Sequence, residues 1–300
     1  MRRILRGANK TPTDGPRTEP YGGGRSIEQR HNTNPGPERD RARGQRIVSL
    51  APNVTSILLA LGAGRELVGV SKWCKHVAGV NRRPQVGDCW RLDIDQVMQL
   101  KPTLLIGSVP FSTEVVARIL EQPVAFLAIN PRSLADIEND IRTLGRVVNR
   151  TTQAEVLTRK MRRGFVNVAK GVARVRDRPR PRVYCEAWPH PRISSPRWVA
   201  EIVEIAGGNM TVQPGARVTD EEVARAKPDV IVLAWTAAGD SSRRDQALGN
   251  PRWRNVPAVR TDRVVVIRDE LLNTPGPPLV KGAQELFRVF YTEANLGRTQ

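Results

Sequence analysis

Residues 46–64 read RIVSLAPNVTSILLALGAG and lead on to LDIDQVMQLKPTLLIG at 92–107. The same order of features returns in RVYCEAWPHPRISSPRWVAEIVEIAGG (182–208) and VTDEEVARAKPDVIVLAW (218–235). Each copy opens on a short apolar run behind a basic or proline-rich lead-in. A helical stretch follows and closes on Ala-Gly or Gly-Gly. Then come an acidic segment, a Lys-Pro pair and a second apolar run. Lys101-Pro102 corresponds to Lys227-Pro228, and Val97 to Val223, at one offset. The repetition predicts two similar α/β lobes with a cleft between them, where small molecules commonly bind.

Working outward, strands are expected at 46–50, 67–71, 103–107 and 124–129, alternating with helices, which implies a parallel sheet buried on both faces. Asn53 or Thr55 is expected to cap the first helix and Gly62 with Gly64 to end it. Asp93 begins a helix with apolar positions at Ile94, Val97, Met98 and Leu100, stopped by Pro102. Between the copies, 133–177 reads as helix broken near Asn149-Arg150. Thr152 and Glu155 have the spacing of a capping box. Helix from about 152 to 176 would be ~35 Å long at ~1.5 Å per residue, a stiff connector between lobes. The expected organisation is a disordered basic tail (1–45), a first α/β lobe (46–150), a connecting helix (151–178) and a second α/β lobe (179–300). The second lobe adds strands at 230–233 and 264–267 and an amphipathic helix over 278–295.

Composition narrows the function. The formal net charge of +18 invites a nucleic-acid reading. The arginines, however, are spread along the chain, with no basic helix and no basic block interleaved with aromatics, so nucleic acid is not the expected partner. The three cysteines, Cys74, Cys89 and Cys185, contain no C-x-x-C pair, and Cys74-x-His76 lacks partners at metal spacing. No metal site is expected, and an odd cysteine count suits a reducing compartment slightly better. The sequence contains no P-loop, nucleophile elbow or H-E-x-x-H, so a binder rather than an enzyme is expected. A chelatase-like reading would rest on His190 with Glu186 alone.

Tryptophans carry the binding argument, six of the fourteen aromatics. Trp73, Trp90, Trp188 and Trp235 lie at or just beyond expected strand ends, where open α/β sheets bind ligands. Core packing is the ordinary role of such residues, and Trp198 and Trp253 read as anchors. His190 shares the Trp188 loop. Asp95 and Glu221 each lie seven residues before the proline of their Lys-Pro pair, in a first helical turn, where the helix dipole favours a carboxylate.

Together these segments, with NTPGPPLVKGAQEL at 273–286, resemble the cobalamin-binding substrate-binding proteins of ABC importers, in the group shared with ferric-siderophore and haem binders. The resemblance covers about 46–292. It implies two Rossmann-like lobes with parallel sheets joined by a long rigid helix, and a monomer that binds a corrinoid without enzymatic activity or a resident cofactor. It places Trp73 against the corrin, Trp90 one residue from another such aromatic and Trp188 in the loop entering the cleft; Trp235, Pro52 and His190 complete the expected ligand-binding set. It makes Asp95 and Glu221 the carboxylates that dock each lobe on the permease, the first being Asp where the family usually has Glu. A ferric siderophore would instead draw on Arg192, Arg197, Arg243 and Arg268. Family location is periplasmic. Residues 1–45 show neither an apolar run of signal-peptide length after Ile4-Leu5 nor a lipobox-like cysteine, which leaves a cytoplasmic corrinoid carrier or sensor as the alternative.

Overall fold

The computed structural model describes residues 44–77, 79–80, 82–235 and 240–291, so the expected tail lies outside it except at 44 and 45. The first lobe runs β1 (Ile47–Ser49), α1 (Pro52–Ala60), β2 (Leu67–Val70), α2 (Ile94–Gln99), β3 (Leu104–Ser108), α3 (Thr113–Leu120), β4 (Ala125–Ile129) and α4 (Leu134–Val147). Its strands are all parallel, in the order β2-β1-β3-β4. Both faces carry helices, which is why the strands read as continuous apolar runs. Helix α5 (Thr151–Ala173) follows, ending a turn short of the expected length.

The second lobe contains β5 (Arg182–Pro189), β6 (Arg192–Ser194), α6 (Arg197–Ile205), β7 (Asn209–Met210), α7 (Asp220–Ala226), β8 (Val230–Leu233), α8 (Asp240–Leu248), α9 (Pro257–Arg260), β9 (Val264–Val266) and α10 (Leu279–Tyr291). Strand β5 pairs in parallel with β7 and β8, and β8 with β9. The resulting order β7-β5-β8-β9 is that of the first lobe, so the repeat in the sequence is a repeat of topology. The second lobe adds one device. Beyond β7, the same edge of β5 is taken by β6, antiparallel, with a bulge between Glu186 and Trp188.

The repeat extends to backbone detail. Asp95 and Glu221 both occupy the second helical position behind their caps, Asp93 and Thr219. Lys101 (φ 49°) and Lys227 (φ 46°) both adopt the left-handed conformation that ends a helix. The proline behind each disfavours the right-handed helical region and enforces the stop.

Two caps differ from expectation. Ala51 caps α1 without a side-chain bond, because Pro52 at the first helical position is already set for helix and has no N–H to satisfy. Asn53 and Thr55 lie inside that helix, buried, and Thr55 Oγ1 donates to Ser49 Oγ (2.7 Å). Arg150 caps α5 without a side-chain bond, and Glu155 faces Arg142 of α4 (2.8 Å) instead of closing a capping box. The capping box that does form is Thr219 with Glu222, at α7.

One apolar core runs through both lobes, from Ile47, Ile57 and Leu144 through Met161 and Val168 of α5 to Val183, Ile202 and Leu286. The lobes also meet through polar groups. The backbone N–H of Leu134, at the start of α4, donates to Glu201 of α6 (2.8 Å), satisfying a helix-terminal donor across the boundary.

Candidate functional site

Every parallel strand delivers its chain to the same edge of its sheet, and the sequence-predicted residues gather at those two edges. In the first lobe β1 leads into Pro52, and β2 leads into a 3₁₀ turn, Lys72–His76, that carries Trp73. Trp73 is 36 % exposed and Trp90 57 % exposed. A residue that sequence reading missed holds both. Asp88 is buried, with its Oδ2 accepting from the Trp73 indole (3.0 Å) and paired with Lys72 Nζ (2.7 Å). Its Oδ1 accepts the backbone N–H groups of Trp90 (2.9 Å) and Arg91 (2.8 Å). Burial alone would raise the Asp88 carboxyl, but hydrogen bonds from Lys72, Arg91 and Trp90 outweigh it, so the group sits below its ordinary range. The Lys72 ammonium also lies 5.0 Å from the Trp73 ring centre. Gly87 precedes it at φ 92°, and a Cβ there would stand 2.3 Å from the Arg91 carbonyl oxygen, so this loop needs glycine. The signal in the sequence was Gly-Asp ahead of a loop tryptophan, an Asx-turn pattern.

In the second lobe β5 carries Trp188 to the tip of the β5–β6 hairpin. Trp188 is 41 % exposed, and its indole donates to the His190 carbonyl (2.9 Å), which staples the tip. His190 is exposed. Beneath the tip lies a second carboxylate, Glu186, fully buried. It accepts from Tyr184 Oη (2.7 Å) and from Arg192 Nη1 (2.7 Å). Burial, the largest influence, lifts the Glu186 carboxyl above its ordinary range despite hydrogen bonds from Tyr184, Arg192 and Trp235. Arg192 also pairs with Asp220 at the start of α7 and stacks 4.4 Å over Trp253. Trp253, fully buried, donates to the Asp220 carbonyl (3.1 Å).

Trp235 departs from the expected set. It lies two residues beyond β8 but is only 5 % exposed and packs in the apolar cluster with Ile231, Leu233 and Trp253. A long aromatic at the end of a central strand, covered by α9 and the 251–253 turn, fills core. Trp198 is an anchor as read, donating to the Leu272 carbonyl (3.0 Å).

The two carboxylates expected to dock on a permease are unequal. Asp95 is exposed. Glu221, also exposed, is ion-paired with Arg252, and its own backbone N–H and Arg252 hold its carboxyl below the ordinary range.

The geometry bears on two chemistries weighed from sequence. Glu186 is buried against Arg192 and Tyr184 while His190 is exposed at the hairpin tip, so the two do not form a metal-binding pair. Of the arginines available to an anionic siderophore, Arg192 is committed to Glu186 and Asp220, Arg197 to Glu201 and Arg268 to Glu270. The Arg243 side chain lies outside the described residues, as does that of His76. Among the described residues no group of three His, Cys, Asp or Glu side chains is placed to hold a metal. No helix among them is long and apolar enough to cross a membrane.

Two α/β lobes of identical strand order, with aromatic side chains presented at the carboxyl edges of their sheets, define a bilobal ligand-binding fold. The sequence over residues 47–271 matches the periplasmic binding protein family, and the chain belongs to that family of substrate-binding proteins. An ABC transporter substrate-binding lipoprotein of Bacillus subtilis is 24 % identical over 259 residues, covering 83 % of this chain and 81 % of the relative. A vitamin B12-binding protein of Pectobacterium atrosepticum is 25 % identical over 256 residues, covering 81 % of this chain and 87 % of the relative. The fold is that of a periplasmic haem-binding protein from Pseudomonas aeruginosa, with a TM-score of 0.74 at 24 % identity, covering 82 % of this chain and 92 % of that one.

Proposed function

We propose that this protein binds cobalamin or a related corrinoid between its lobes and delivers it, chemically unchanged, to an ABC importer. The observation that carries the reading is the set of three exposed indoles, Trp73, Trp90 and Trp188, each on a loop fixed by hydrogen bonds at a sheet's carboxyl edge. Rigid aromatic faces suit a large, flat, partly apolar ligand, since little side-chain entropy is lost on contact. Pro52 borders the same edge of the first lobe. The vitamin B12-binding relative supports the assignment. Delivery uses Asp95 and Glu221 as anchor points on the permease. Glu221 exchanges its Arg252 partner for a cation of the permease. The lipoprotein relative supports action outside the cytoplasmic membrane. The protein acts as a monomer.

Haem is the second reading, favoured by one observation. His190 is an exposed imidazole beside Trp188, and imidazole is a common axial ligand of haem iron. Tyr184 and Tyr291 are both buried, the first on Glu186 and the second on the Gly207 carbonyl.

Titration with cyanocobalamin, followed by tryptophan quenching and by the corrin absorbance, tests the proposal. Saturable binding at micromolar or lower concentration is the expected result, weakened at least tenfold in the Trp73→Ala/Trp188→Ala variant. A Soret shift with haemin that His190→Ala abolishes, in a protein that ignores cyanocobalamin, would replace the corrinoid with haem.

A further inference from the structure

Helices α5 and α10 and the last turn of α1 enclose a groove of about 930 Å³ remote from the indoles. It abuts Ala60, the final residue of α1, whereas the binding edge lies at Pro52, the first. The α5 wall is a single helical stripe at three- and four-residue spacing, comprising Gln153, Val156, Leu157, Lys160, Arg163 and Asn167. Across it stand Val280 and Gln284 of α10, one turn apart. The floor is aliphatic, closed by the buried Met161, and Val156 remains 50 % exposed with no apolar cover. The helices come together at Gly164, where a Cβ would stand 2.3 Å from Val280 Cγ1, and this contact shuts one side of the groove.

Charge selects the occupant. No Asp or Glu lines the groove, while Lys160 and Arg163 do. Neighbouring Arg162 is neutralised by Glu138, and Arg142 by Glu155. Lys160 and Arg163 have no ion pair among the described residues, and both are exposed lining residues whose long apolar stems can cover apolar surface while the charges stay in water. A concave site of this volume, apolar within and carrying a few convergent polar groups, has the make-up of a small-molecule pocket.

We infer that this groove is a second ligand site, for an amphiphilic anion: an aliphatic chain along Val156, Leu157, Met161 and Val280, with its anionic head between Lys160 and Arg163. The occupant is a single acyl-chain carboxylate rather than a membrane surface.

The test uses the full chain and laurate below its micellar concentration, followed by titration calorimetry, with dodecyl maltoside as an uncharged chain of equal length. One laurate per protein is expected to bind saturably, and to do so equally with cyanocobalamin present. Lys160→Glu/Arg163→Glu should weaken it tenfold or more, and Val156→Asp severalfold, with melting curves confirming that both variants fold. Three results each overturn the inference. Laurate binding that the charge reversal leaves unchanged removes the head site. Laurate displaced by cyanocobalamin places it in the cleft. Sedimentation with anionic vesicles without saturable binding of monomeric laurate makes the groove a membrane-docking face.

Discussion

Asp88 in the first lobe and Glu186 in the second are buried carboxylates under opposite electrostatics, each close in sequence to an exposed indole at its sheet's carboxyl edge. Asp88 accepts two backbone N–H groups, an indole N–H and a lysine, and its carboxyl is held below the ordinary range. Glu186 accepts from Tyr184 and Arg192, yet burial wins and its carboxyl rises. The difference lies in solvent and in backbone donors. Asp88 pairs with a lysine that is 48 % exposed and collects loop N–H groups, whereas Glu186 sits in a central strand whose N–H groups serve the sheet. The first lobe therefore fixes its tryptophans by local turn chemistry. The second staples its tryptophan to the His190 carbonyl, next to an ion network that runs from Glu186 through Arg192 and Asp220 to the helix carrying Glu221.

The largest expected effect breaks the second arrangement. Arg192→Met leaves Glu186 charged and buried without its strongest partner, and should destabilise the protein by about 3 kcal/mol in urea unfolding. The penalty grows with pH, because the buried carboxyl is tolerated once protonated. Adding Glu186→Leu removes the stranded charge and should restore about half of the loss. A double variant no better than the single would show that Arg192 acts through Asp220 and Trp253 alone.

Asp88→Asn is expected to cost about 2 kcal/mol, since charge-assisted hydrogen bonds are lost while the backbone donors keep one acceptor. The sign of the pH dependence separates the two carboxylates. A depressed carboxyl stabilises the fold above its unfolded value, and that stability is lost as pH falls through the folded value. The penalty of Asp88→Asn should therefore shrink on acidification. An elevated carboxyl does the reverse, so Glu186→Gln should compare more favourably with wild type as pH rises. Parallel pH profiles for the two variants would end the contrast. Trp73 and Trp90 emission should shift with Asp88→Asn and not with Glu186→Gln.

The sequence carried the fold well, because a repeat is a strong constraint. Lys-Pro at one offset implied two equivalent helix stops, and both lysines adopt the same left-handed conformation. Strand ends placed Trp73 and Trp188 for the same reason. Besides Asp88 and the cap of α1, three features escaped. Trp235 reads from its position like the others, but its burial depends on α9 and the 251–253 turn, which arrive from later sequence. Glu186, Arg192 and Asp220 are up to 34 residues apart and are joined only once β6 folds back on β5. The Thr152 capping box failed because Arg142 offered Glu155 a charged partner, an interaction between helices that local pattern cannot express.

A third carboxylate supplies the control and the smallest expected effect. Asp140 of α4 is partly buried, and its Oδ2 has no hydrogen-bond partner. Burial, with the charge of Asp136 behind it, pushes its carboxyl up to about 6. It thus has part of the burial of Glu186 without the donors of either site. An acid raised above its unfolded value opposes folding once ionised, so its penalty sets in above about pH 4 and is complete a little beyond pH 6. Asp140→Asn should stabilise the protein by ~1 kcal/mol at pH 8, the full shift being discounted for partial exposure, and by nothing at pH 4. A constant gain across that range would mean that the amide has found a partner. The elevation of Glu186 would then need an origin other than burial, since an example in which burial is the largest influence and no donor opposes it would have failed.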